Sequence, residues 1–172
     1  MALFQSVLLA FLVLLLVAGG FLIYVYRWLL TRPVPDLQGK AELSCLDGPV
    51  VVKRDRHGVP HIYAESEPDL FRAQGYVHAQ DRMWQMEQTR RTVRGTLSEI
   101  FGEAALPADK YIRTLGIWRS AEREASALWR EESEILGWYC QGINEYIRQR
   151  KGKLAAEFCL LRFEPEEWTP TD

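Results

Sequence analysis

Between Ser66 and Gly95 the sequence allows little besides one long helix, buried along much of its length. The Ser66 hydroxyl can accept from a free backbone N–H, Asp69 stands three residues on as in a capping box, and Pro68 is tolerated in the first turn. Leu70, Ala73, Val77 and Trp84 recur at spacings of three, four and seven, which is one apolar stripe on a helix. Tyr76, Met83 and Met86 lie beside the stripe and widen it. A face this wide predicts packing on two sides, inside a larger layered protein. Gly95 supplies the stop.

The segments around this helix predict a mixed α+β fold that is mostly helical. Val50-Val51-Val52 is β-branched and reads as a strand. His57-Gly58-Val59-Pro60 breaks it, and His61 to Ala64 resumes as a second strand. Ala41 to Leu46 reads as a further strand, joined to the first by an Asp47-Gly48 turn, so a small antiparallel meander is expected. Downstream, Thr96 and Glu99 restart a short helix. Pro107 and Asp109 then lead into one that buries Tyr111, Ile112, Leu115 and Trp118. Another helix starts near Glu131. Its wide apolar face holds Ile135, Leu136, Tyr139, Cys140, Ile143 and Ile147, and Gly152 ends it. The final residues, Thr169-Pro170-Thr171-Asp172, are a helix start signal. The expectation is therefore that these 172 residues are the front end of something longer.

The N-terminus carries a different signal. No charged side chain occurs before Arg27, and the run is almost wholly apolar. About 20 such residues span a bilayer core, whereas a cleaved signal has a basic start and a shorter apolar run. Residues 1–30 are read as a transmembrane anchor or uncleaved signal, 31–40 as a Pro- and Gly-containing linker, and 41–172 as the soluble domain. Tyr24, Tyr26 and Trp28 suit a membrane interface. Arg27 and Arg32 would by themselves place the domain in the cytoplasm.

Three motif groups carry a family resemblance. They are GVPHIYA from Gly58, DLFRAQGYVHAQDRMWQMEQTRR from Asp69, and GTLSEIFG from Gly95. YIRTLG, LGWYCQGINEYI and EFCLLRFEPEEWTPTD continue the series in order. Together they resemble the N-terminal, α-chain part of the penicillin acylase (penicillin amidase) family of N-terminal-nucleophile hydrolases, from about Pro49 to Asp172. The resemblance implies a four-layer αββα sandwich, of which this chain holds early strands and covering helices. It also implies a soluble domain outside the cytoplasm.

The implied reaction is hydrolysis of a linear amide: a penicillin or other β-lactam side chain, an acyl-homoserine lactone or a similar small N-acyl substrate. The nucleophile implied is a Ser at the start of a second (β) chain, freed by self-cleavage of a precursor, which forms an acyl-enzyme. That Ser would lie beyond Asp172, as would the acidic residue with which some members hold calcium. No catalytic or metal-binding residue is therefore assigned within the chain, and no cofactor. The alternative is a non-catalytic membrane-anchored remnant or interaction subunit.

The residues themselves point to no other chemistry. A formal net charge of −2 gives no electrostatic footprint for nucleic acid. Cys45, Cys140 and Cys159 are odd in number and lack C-x-x-C spacing; Cys140 falls on an apolar helix face and reads as a buried thiol. His57 and His61 are four apart, but Gly58 and Pro60 deny them the helix that would align a metal pair. His78, with Asp81 close behind, reads as a hydrogen-bonded structural histidine rather than a base. Asp81, Arg82, Glu87, Arg90 and Arg91 read as a solvated or interdomain salt-bridge network. Met83, Trp84 and Met86 read as core rather than acyl pocket. Gly75 and Gly142 inside helices predict close helix–sheet approach.

Overall fold

The computed structural model describes residues 2–172, with side chains from Phe4; Met1, the first residue of the expected anchor, lies outside the described residues. The described residues form two compact units, one ending at Asp36 and one running from Leu37 to Asp172.

The first unit is helix α1, Ala2–Tyr26, continued by a π-helical stretch, Arg27–Thr31. Phe4 to Thr31 is one 28-residue helical span, and an 18-residue window of it reaches a mean hydropathy of 2.8 with nothing buried. At about 1.5 Å per residue it exceeds the roughly 30 Å of a bilayer core. Length and composition thus suffice to cross a membrane, as an anchor or as a signal sequence.

The second unit starts with a two-stranded antiparallel sheet. Strand β1, Val51–Arg54, pairs with β2, Pro60–Tyr63, in the register Val51 to Tyr63 and Arg54 to Pro60. Helix α2, Glu67–Arg94, follows. It kinks at Arg82, whose backbone is non-helical. A short α3, Ser98–Phe101, and a 3₁₀ turn lead to α4, Leu106–Leu115, and α5, Ile117–Ala127. Then come α6, Arg130–Gln149, and α7, Ala156–Leu161.

The main interface is α2 against α6. Ala79 and Met83 from α2 meet Cys140, Ile143 and Tyr146 from α6, and Leu154, Phe158 and Trp168 close the core. Gly75 and Gly142 explain how near the helices come. A Cβ at Gly75 would fall on the Tyr139 carbonyl, and one at Gly142 would lie 2.8 Å from the Tyr76 nitrogen. The expected close approach is present, but helix meets helix rather than sheet.

Three other expectations are corrected. Ala41 to Leu46 forms no strand, so the meander reduces to the β1–β2 hairpin. Its polar groups are claimed by side chains of the helices. The Ser44 N–H and hydroxyl donate to Glu145 (3.3 and 2.8 Å), and Gln149 donates to the Glu42 carbonyl. The Asp47-Gly48 turn likewise gives both N–H groups to the Asp69 carboxylate, at 3.0 Å each. Asp69 therefore completes only half of its capping box: its own N–H donates to Ser66, while its carboxylate serves the loop. Next, α3 is capped by Asp109, which accepts from Leu97 and Ser98, and not by Thr96. Finally, Tyr111 and Leu115 are 64% and 55% exposed; the residue α4 buries is Asp109. Gly116 ends α4 in the left-handed region and redirects the chain before Trp118.

Candidate functional site

The residues singled out in the sequence separate into two places. His57 and His61 are exposed on the hairpin; His57 accepts from Arg56, and His61 lies 3.8 Å from Asp55. Among the described residues no group of three or more His, Cys, Asp or Glu is placed to hold a metal ion.

His78, with Arg82 and Arg90 of the charged face of α2, lines a cleft of about 660 Å³ between α2, α6 and Trp168–Asp172. The His78 Nδ1 lies 2.5 Å from the Tyr139 hydroxyl. Asp81, its neighbour in sequence, turns away and holds Arg54 through both oxygens, at 2.9 and 2.8 Å.

Next to the cleft, the salt-bridge network expected from sequence as solvated or interdomain is in large part buried. The Glu87 side chain is fully buried, and Arg90 is 2% exposed. Glu87 accepts from Arg90 and from Arg91 (2.8 Å). Arg90 and Arg94 both face the buried Asp172 carboxylate, at 3.7 and 2.6 Å. Each of the three arginines also stacks on an aromatic ring: Arg90 on Trp168, Arg91 on Phe163 and Arg94 on Trp118, within 4.4–4.8 Å. Stacked and hydrogen-bonded guanidinium groups tolerate burial because their planar faces are weakly hydrated. The Glu87–Arg91 spacing was visible in sequence. The aromatic and carboxylate partners, Trp118 about two dozen residues away and Phe163, Trp168 and Asp172 some 70 to 80, carried no local signal.

Met83 is buried, Trp84 packs edge-on to Phe158, and Met86 packs against the same core, so all three are core as expected; Met86 also lines the cleft. Cys140 is buried beneath it. Burial first, and then the nearby Asp172, push its thiol up to about 11, so it is inert as a nucleophile at neutral pH. Opposite the cleft, Glu145 anchors the Ser44 loop. Burial would raise its carboxyl, but bonds from Arg148, Ser44 and Gln149 outweigh that and bring it down to about 2.

This geometry is a helical layer with a short hairpin, carrying a cleft. Its class emerges from comparison. A penicillin G acylase from Alcaligenes faecalis, in its solved structure, superposes with a TM-score of 0.64 at 34% identity, covering 72% of this chain and 67% of that one. The fold is that of an N-terminal-nucleophile hydrolase fragment. Residues 49–172 match the penicillin amidase family model, and the chain belongs to that family.

Penicillin acylase 2 proenzyme of Pseudomonas sp. (strain SE83) is 41% identical over 84% of this chain and 18% of its own length. Penicillin G acylase of Escherichia coli is 38% identical over 86% of this chain and 17% of its own length. Acyl-homoserine lactone acylase QuiP of Pseudomonas fluorescens (strain Pf0-1) is 32% identical over 84% of this chain. The chain thus spans less than a fifth of these relatives.

Proposed function

We propose that the chain is the front, α-chain-like part of a membrane-anchored acylase that hydrolyses the amide bond of a small N-acyl substrate. The observation that carries this reading is the family match from residue 49 to 172, supported by the superposition on a solved acylase. Relatives named as penicillin acylases and as acyl-homoserine lactone acylases bracket the substrate class. The nucleophile is a Ser at the start of a second chain, encoded beyond Asp172 and released from the same precursor. Its own amine serves as base, and an acyl-enzyme forms and is hydrolysed. The aligned stretch makes two thirds of the solved chain but under a fifth of the proenzyme, which supports such processing. Helix α1 anchors the assembly in the membrane, with the acylase part outside the cytoplasm.

In this arrangement the present residues supply scaffold. The α2–α6 layer holds the hairpin through Arg54–Asp81 and the Ser44 loop through Glu145, and so sets where the catalytic chain docks.

The test is to express the complete gene, recover the membrane fraction and determine the masses and N-termini of the products. Two chains, the second beginning with Ser, and release of an amine from N-acyl amides are expected. Replacing that Ser by Ala abolishes both cleavage and hydrolysis. A single uncleaved chain without amidase activity refutes the proposal.

A further inference from the structure

The chain enters its second unit through a strap, residues 42–48, that is tied down at one end of the helical layer. Gln149 donates to the Glu42 carbonyl at 2.7 Å, and Glu145 accepts from Ser44, so the strap is pinned to the last turns of α6. At the start of α2, Arg72 donates to Asp47 at 2.7 Å, and Asp69 accepts from the Asp47 and Gly48 N–H groups. The apolar span ends at Thr31. The chain from Thr31 to Glu42 reaches at most about 40 Å when fully extended.

The helix that holds the strap is polarised along its length. Glu131 and Glu132 stand in the first turn of α6, Arg148 stands in its last, and Arg150 follows at its C-cap. The basic run then continues past the helix with Lys151 and Lys153, around Gly152 in the left-handed region. The helix dipole rewards Arg148, but its effect fades within the last turn and does not account for Lys153. Nor do nearby carboxylates use these charges up. Lys151 lies 3.5 Å from Glu164 with both side chains mostly exposed, a pair that water and salt weaken. Lys153 is exposed and makes no ion pair among the described residues. The basic end of α6 is thus the end that the anchor's own linker is fastened to.

We propose that the run from Arg148 to Lys153 is a second, electrostatic contact with the membrane, its cations resting on the phosphates of anionic phospholipid headgroups. This rests on the reading of α1 as a retained anchor. A few basic side chains alone attract weakly, because the field of a charged surface fades over about 8 Å at physiological salt. The tether overcomes that: a domain that cannot stray beyond about 40 Å meets the surface at a high effective concentration. What the contact adds is orientation. One flexible attachment leaves the domain free to swivel. A second one, at the C-terminal end of α6, turns that end toward the bilayer and keeps the acidic start of α6 away from a surface of like charge.

The test uses the complete gene product, without substitutions, in nanodiscs of phosphatidylcholine alone or with about one third phosphatidylglycerol. A low dose of N-succinimidyl acetate, a neutral amine reagent, followed by peptide mass mapping gives the acylation rate of each lysine. Lys110, exposed on α4, is the internal control. Lys151 and Lys153 are expected to react roughly threefold or more slowly on the anionic discs, with Lys110 unchanged, and about 0.5 M sodium chloride should close the gap. Equal rates at Lys151 and Lys153 on the two kinds of disc overturn the proposal. Slowing confined to Lys40, in the linker, shows nearness without contact and overturns it too. So does equal protection on neutral discs by inorganic phosphate, which would assign the run to a free anion. Intact mass separates the two readings: a product that has lost residues 1–30 refutes the anchor, whereas a retained anchor with lipid-independent rates refutes this contact alone.

Discussion

Replacing Glu145 by Gln should remove one pH-dependent share of the protein's stability. Glu145 is 4% exposed and accepts from Ser44, Arg148 and Gln149. Its carboxyl sits at about 2 against an ordinary 4.5. That difference is worth about 3 kcal/mol, since each tenfold change in proton affinity is about 1.4 kcal/mol. A carboxyl whose folded value is depressed stabilises the protein above its unfolded value. The contribution is therefore whole at pH 7, begins to fall near pH 4.5, and is gone below about pH 2.

At pH 3 about 1.5 kcal/mol should remain. The assay is urea unfolding of the detergent-solubilised chain, followed by tryptophan fluorescence at pH 7, 5, 4 and 3. Buried Trp168 is among the reporters. Asp69 and Asp109 are also held below the usual carboxylate range: burial opposes this, but backbone N–H bonds and neighbouring side chains outweigh it. The difference between wild type and variant removes their common contribution. A gap near 3 kcal/mol at pH 7 that halves by pH 3 supports the reasoning. A gap that stays constant with pH, or none at pH 7, refutes it.

Glu87→Gln should cost about 3 kcal/mol or more, because it leaves Arg90 and Arg91 without their shared buried charge; an unchanged urea midpoint would count against the network. Gly142→Ala adds a methyl that meets backbone atoms of Arg72 and Tyr76, which cannot yield as a side chain would. Despite the better helix propensity of Ala, a net loss of about 1–3 kcal/mol is expected, and a thermal midpoint equal to or above wild type would refute the close-approach argument. At pH 8 a maleimide should modify exposed Cys159 at least about tenfold faster than Cys140, whose thiol is buried and weakly acidic; peptide mass mapping of the labelled chain gives the ratio.

The legible parts of this fold share one property: their causes lie within a few residues. Ser66 and Gly95 bracket α2, the apolar spacing finds α6, and Cys140 falls inside where periodicity put it. Where the cause lay far away, local reading failed. Ala41 to Leu46 has strand-like residues, yet Glu145, about a hundred residues on, takes the Ser44 N–H and hydroxyl, and the segment does not join β1. Glu87, Arg90 and Arg91 look like a wet helix face until Phe163, Trp168 and Asp172 come back to cover them. Tyr111 and Leu115 carry an amphipathic pattern that this unit leaves exposed, so a pattern announces that a face wants a cover without saying what supplies it.

The sequence by itself determined the long helices α2 and α6, the start and stop of α2, the apolar N-terminal span and the family, because local caps, hydrophobic period and motif order are all written along the chain. Only the tertiary structure decided that a helix rather than a sheet meets Gly75 and Gly142, that Asp69 serves a loop as well as its own helix, and that Asp172 is buried beneath two arginines. Those outcomes depend on which distant groups reach one another first and bury each other's charge, and that choice is made by packing in three dimensions.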